Sequence, residues 1–267
     1  MVALFIRKAR QMPGFYFDNL KYEQYLKIYM AKFEETEINS LSEFIKLIER
    51  RGRPDGKRMI LYRGQNVDKA LIPGIARHLY RKSREVNEIR MFNEFKRSSL
   101  PHLQSNPKND LEWLTIAQHY GIPTRLLDWT DNPLAALYFA VSKESMEESN
   151  AVVWVFSASM DNKIFTEDQN FDVFKEKELK IFKPSTIIDR VGSQSGWFSY
   201  HPYHSQGYYQ RIDQEYSDKD IRLHKILIKK EKSDNIKHTL EACGINKYSI
   251  FRDLDSLGQY IFLKNKS

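Results

Sequence analysis

Residues 118–140, QHYGIPTRLLDWTDNPLAALYFA, crowd His119, Arg125, Asp128, Trp129 and the hydroxyls of Thr124 and Thr130 around two backbone breaks. Ordinary surface loops carry Ser, Gly, Lys and Glu. Here the polar groups stand beside Leu126 and Leu127, the signature of a partly buried polar network. Such a network is either a structural clamp or a site. A second candidate is Arg63, which ends the apolar run 58–63 (RMILYR) and is followed by Gly64 and Gln65. An arginine at a strand end, next to a glycine that admits close backbone approach, suits an anion.

The elements that must position these groups follow from local chemistry. Asp110 is placed to cap a helix reaching Tyr120, with Gly121 as a left-handed stop and Pro123 blocking a restart. Residues 122–132 then read as a connection. Asn132 and Pro133 are an N-cap and first helical position, opening a helix with Leu134, Leu137, Tyr138 and Val141 on one face. Residues 1–39 carry Tyr22, Tyr25 and Tyr29 at helical spacing and read as an N-terminal helical extension. Ser40 and Glu43 form a capping box before Leu41, Phe44, Ile45 and Ile48.

Further on, residues 85–100 read as an amphipathic helix and 151–156 (AVVWVF) as a buried strand. Residues 161–183, rich in Lys and Phe without a clean period, read as a mobile or peripheral insertion. Strand 223–228 precedes a helix capped by Ser233, with Ile236, Leu240 and Cys243 inward and Gly244 as its stop. Leu254, Leu257 and Ile261 mark a closing helix. The resulting fold class is α+β, a single domain with a mixed or antiparallel sheet flanked by helices, spanning 40–267.

Composition bounds the function. The 267 residues suffice for a sizeable core, and no run of about 18 apolar residues suggests a membrane span. Cys243 is the only cysteine, which excludes an internal disulfide and fits a reducing, cytoplasmic setting. No signal peptide is expected at the start. The excess of 42 Lys and Arg over 35 Asp and Glu, +7, suits a polyanionic partner, although a solvated basic surface is the commoner cause of such an excess. Walker and G-x-G-x-x-G loops are missing, and no ligand set for a metal is evident around His201 and His204.

Tyr62-Arg63-Gly64-Gln65, then Pro73 and Arg77, then the run 118–130 and Ala136-Leu137-Tyr138-Phe139-Ala140 together resemble the FRG domain, a bacterial and phage family named for its Phe/Tyr-Arg-Gly motif. The likeness continues through Arg190, Gln194, Gly196, Phe198, Gly244-Ile245 and Phe251-Arg252-Asp253-Leu254. The order of elements is similar, more distantly, to ADP-ribosyltransferases, in which a first strand ends in an Arg or His that holds NAD. That likeness implies NAD as substrate, with no metal. Arg63, Gly64, Gln65, Arg125, Thr130 and Tyr138 would bind it, and Arg63, His119, Asp128 and Gln194 would serve catalysis. Tyr138 or Trp197 would stack on nicotinamide.

One departure matters physically. Gln194 stands where a catalytic Glu is expected, and a neutral amide stabilises an oxocarbenium-like charge only weakly, so Asp128 is the candidate anion. The resemblance further implies a toxin or phage-defence effector modifying single-stranded RNA or DNA, or protein, with an antitoxin or chaperone as partner. The alternative is a non-catalytic FRG module in which Arg63, Arg77, Arg125 and Arg190 hold a phosphate-bearing ligand or nucleic acid. Each residue also has a structural reading: Arg63 with Asp128 as an ion pair, His119 as a carbonyl-bonded histidine, Trp129 and Trp197 as core.

Overall fold

The computed structural model describes residues 33–51, 57–77, 84–103, 105–142, 149–168, 170–184, 196–204, 208–213 and 220–265. Seven strands form one sheet: β1 (Phe33–Ile38), β2 (Arg58–Gln65), β3 (Leu126–Thr130), β4 (Ala151–Ser159), β5 (Lys180–Phe182), β6 (Gly196–Tyr200) and β9 (Arg222–Ile228). Their spatial order is β1-β9-β4-β2-β3-β6-β5, and every pairing from β9 to β5 is antiparallel. A separate hairpin joins β7 (Tyr203–His204) to β8 (Tyr208–Tyr209). The helices are α1 (Leu41–Arg51), α2 (Gly74–Arg77), α3 (Arg84–Ser99), α4 (Asp110–His119), α5 (Pro133–Val141), α6 (Lys230–Ala242), α7 (Lys247–Phe251) and α8 (Leu254–Lys264). The α+β expectation is thus met.

β4 is the spine of the sheet. Its residues are apolar almost throughout because both faces are covered. Val153 and Val155 meet Ala136, Leu137 and Ala140 of α5, while Ile226, Ile228 and Leu240 close the same cluster. A second cluster packs Phe92, Leu111 and Leu114 of α3 and α4 against Leu126, Phe198 and Tyr200. Gly64 is where α5 comes nearest β2. A Cβ there would lie 1.9 Å from the Ala136 carbonyl oxygen and 2.7 Å from the Ala140 nitrogen, so only glycine admits the helix.

Several local expectations are corrected. Residues 126–130 are a strand, not part of a connection: β6 pairs along the whole of LLDWT, and Tyr62 of β2 faces Thr130. Residues 33–38 of the expected helical extension form an edge strand, because Ile38 is buried and Glu34, Glu35 and Glu37 approach His224, Lys225 and Lys229. Residues 1–32 of that extension lie outside the described residues. Segment 161–183 contributes to the core through Ile164, Val173, Leu179 and Ile181.

The helix ends also differ in detail. Asn109, not Asp110, caps α4 by accepting from the Glu112 amide at 2.9 Å. α6 begins at Lys230, which leaves Ser233 inside it and Cys243 exposed beyond its end. In α8 two residues of the expected inner face are exposed, Leu254 at 84% and Ile261 at 52%, while Leu257 is half-buried. Asn132 does cap α5, accepting from the Leu134 and Ala135 amides at 3.0 and 3.2 Å. Gly121 and Gly244 take the positive φ that their helix stops require.

Candidate functional site

A cavity of about 800 Å³ opens where β2 and β3 end, walled by the last turn of α4, by α5 and by the start of β6. β2 delivers Arg63 and Gln65, the loop after it Lys69, the end of α2 Arg77, and α4 delivers Thr115, Gln118 and His119. β3 contributes Asp128, Trp129 and Thr130. The apolar lining is largely aromatic: Phe139, Trp197, Phe198 and Phe251.

Arg63 dominates the electrostatics. Its side chain is only 12% exposed, Nη1 donates to the Asp128 carbonyl at 2.7 Å, and Nε is buried without a partner among the described residues. The Asp128 carboxylate, 64% exposed, stands 3.5 Å from Nη1. Burial lowers the proton affinity of Arg63; Asp128 opposes this and Arg77 reinforces it. Arg77 is lowered as well, by burial first, with Asp128 opposing. One desolvated guanidinium, Arg63, and one exposed guanidinium, Arg77, therefore share one largely solvated carboxylate. Such a place is incompletely neutralised and favours an added anion. Arg77 is oriented by its Nε bond to the Ile72 carbonyl at 2.8 Å.

The other walls are held from behind. Gln65 accepts from the Trp154 indole at 3.0 Å. Trp129 donates to Ser199 Oγ at 2.9 Å, Ser199 contacts His201 Nε2 at 2.8 Å, and His201 Nδ1 contacts the Gln210 carbonyl at 2.7 Å. A carbonyl only accepts, so Nδ1 carries the proton and Nε2 accepts from Ser199. Burial pushes His201 down to about 4, with the Gln210 bond and Asp213 opposing and Arg63 adding to the shift. Thr130 Oγ1 accepts from the Asn132 amide at 3.1 Å. The Trp197 ring lies under Lys183 Nζ at 5.7 Å from its centroid.

The cavity brings together Arg63, Gly64, Gln65, His119, Asp128 and Thr130 of the sequence candidates. Arg125 is placed elsewhere. It is fully enclosed: Nε and Nη2 bind the Glu88 carboxylate, at 2.7 Å for the shortest contact, and Nη1 donates to the Val173 carbonyl at 2.7 Å. Tyr209 adds a bond to Glu88 at 2.8 Å. Burial by itself lowers the proton affinity of Arg125, but the charge and hydrogen bonds of Glu88 more than offset it. Tyr138 is buried in the cluster under α5, and Phe139, its neighbour, takes the place on the cavity wall. Gln194, with Arg190 and Gly192, lies outside the described residues.

Sequence reasoning did not assign Gln118, Phe139 or Phe251 to the site. All three sit inside the FRG-like motifs, but apolar side chains and an amide carry no sign of which face they will present. The site therefore defines an α+β domain with an arginine-bearing, aromatic-lined cavity. Residues 58–149 match the family model of the FRG domain. No curated protein and no solved structure matches the chain. Among the described residues no helix is long and apolar enough to cross a membrane.

Proposed function

We propose that the cavity binds a phosphate-bearing nucleotide, with its anion on Arg63 and Arg77 and its ring against the aromatic wall. The observation that carries this reading is Arg63, a buried guanidinium whose Nη1 stands 3.5 Å from a single exposed carboxylate and whose Nε has no partner among the described residues. A charged donor left unsatisfied in low dielectric is costly unless an acceptor arrives. The about 800 Å³ available is of the size that small-molecule sites use.

A second reading, ADP-ribosyl transfer from NAD, is favoured by Asp128. Its carboxylate is on the cavity wall, exposed to a ligand and fixed by Gln118 at 2.8 Å. In that reaction the ribose–nicotinamide C–N bond breaks, nicotinamide leaves with the bonding pair, and Asp128 stabilises the positive charge developing on the ribose. A nucleophile of an RNA, DNA or protein acceptor then bonds to the ribose carbon, and His119 takes its proton.

Calorimetry with ADP and NAD, followed by incubation with labelled NAD and cell RNA and protein, tests both. Binding that Arg63→Ala removes supports the nucleotide site. Release of nicotinamide with label on an acceptor, lost in Asp128→Asn, adds the transfer. Failure of both ligands to bind the folded protein would falsify the nucleotide site.

A further inference from the structure

Three polar residues of the 118–130 run, outside the anion contact itself, form one directed chain. Thr124 is buried, and its Oγ1 accepts the Leu126 amide at 3.1 Å, so its own proton goes to Gln118 Oε1. This settles which way the Gln118 amide faces. Nε2 is turned to Asp128 and donates to Oδ1 at 2.8 Å. The other carboxylate oxygen, Oδ2, stands 3.5 Å from Arg63 Nη1, beyond the roughly 2.7–2.9 Å of a closed charge-assisted bond. Arg63 Nη1 bonds instead to the Asp128 backbone carbonyl at 2.7 Å.

We propose that Gln118, oriented by Thr124, tethers the Asp128 carboxylate away from Arg63 and so keeps the guanidinium open to the ligand's anion. This rests on the anion-binding reading of the cavity. Without the tether an exposed carboxylate one rotation away closes on the same donors and competes with the ligand from within. Gln118 is thus a positioning residue acting through Asp128, and Thr124 acts through Gln118. The spacing of Gln118, Thr124 and Asp128 follows: a helix end, a turn residue and a strand residue must meet, with the Gly121 turn between them.

The test uses the full chain with ADP as probe. Gln118→Leu and Thr124→Val each weaken ADP binding about fivefold, and Thr124→Ser, which keeps the hydroxyl, restores it. In an Asp128→Asn background Gln118→Leu has no further effect, because no carboxylate remains to close on Arg63. An equal loss in both backgrounds overturns the tether, since Gln118 would then act by direct contact or by packing. Ligand-free protein supplies an independent arm. The Gln118 side-chain amide resonances lie away from solvent-like positions, move to them in Thr124→Val and stay in Thr124→Ser. Identical resonances in Thr124→Val and wild type overturn the tether whether or not ADP binds. Absence of ADP binding with the resonance shift intact overturns the anion reading, and the proposed role with it.

Discussion

Arg63 and Gly64 are adjacent in sequence and serve different ends. Arg63→Ala is expected to weaken nucleotide binding about 10- to 100-fold, the worth of a desolvated charge-assisted hydrogen bond, as read by calorimetry. Arg63→Lys recovers little, because a compact ammonium lacks the planar fork. Gly64→Ala acts on stability instead: with the Ala136 oxygen 1.9 Å from the new methyl, α5 must shift, at a cost of about 3 kcal/mol or more in urea unfolding. Gly64 reads in the sequence as room for a ligand, whereas the tight approach in the structure is that of a helix. His201 adds a pH dependence. Its folded value near 4 lies below the ordinary 6.5, so the unfolded chain takes up the proton first as pH falls. The stability it supports is complete above about pH 6.5 and falls away toward pH 4, by on the order of 3 kcal/mol. Unfolding midpoints at pH 7, 5.5 and 4.5 should fall less steeply in His201→Gln than in the wild type.

Strand β3 shows how one element divides its duties. Its entry is anchored by Arg125, which binds Glu88 of α3 and the Val173 carbonyl in a fully enclosed network, and its exit presents Asp128 and Thr130 to the cavity. Removing one member of a buried pair strands the other charge, so Glu88→Ala is expected to cost about 3–5 kcal/mol in chemical denaturation. The same change made on Asp128, an exposed partner, should leave stability within about 1 kcal/mol while changing ligand binding. Two arginines of similar appearance in the sequence, Arg63 and Arg125, thus separate into site and clamp. What separates them is the Glu88 carboxylate, 37 positions away in the chain, and no local pattern reports it.

The segment matching the FRG domain does not contain the whole architecture. Residues 58–149 supply β2, β3 and the helices α2 to α5, but the sheet inserts β4 between β2 and β9 and covers β3 with β6. The cavity likewise needs Trp197, Phe198 and Phe251. A fragment 58–149 is therefore expected to lack a cooperative unfolding transition by circular dichroism, because the apolar edges of β2 and β3 have no partners. The helix stops at Gly121 and Gly244, the Asn132 cap, the apolar β4 and the α+β class are legible in the chain, since each depends on backbone preference or periodicity within a few residues. The likeness of residues 58–149 to the FRG domain is also legible there, through a run of motif residues in fixed order. That 126–130 is a strand, that Arg125 is sealed while Arg63 faces a cavity, and that Phe139 rather than Tyr138 lines it emerge only once the chain is folded. Those outcomes depend on which distant side chain or strand arrives opposite, and on how much water it displaces, and neither is written in any local stretch of the chain.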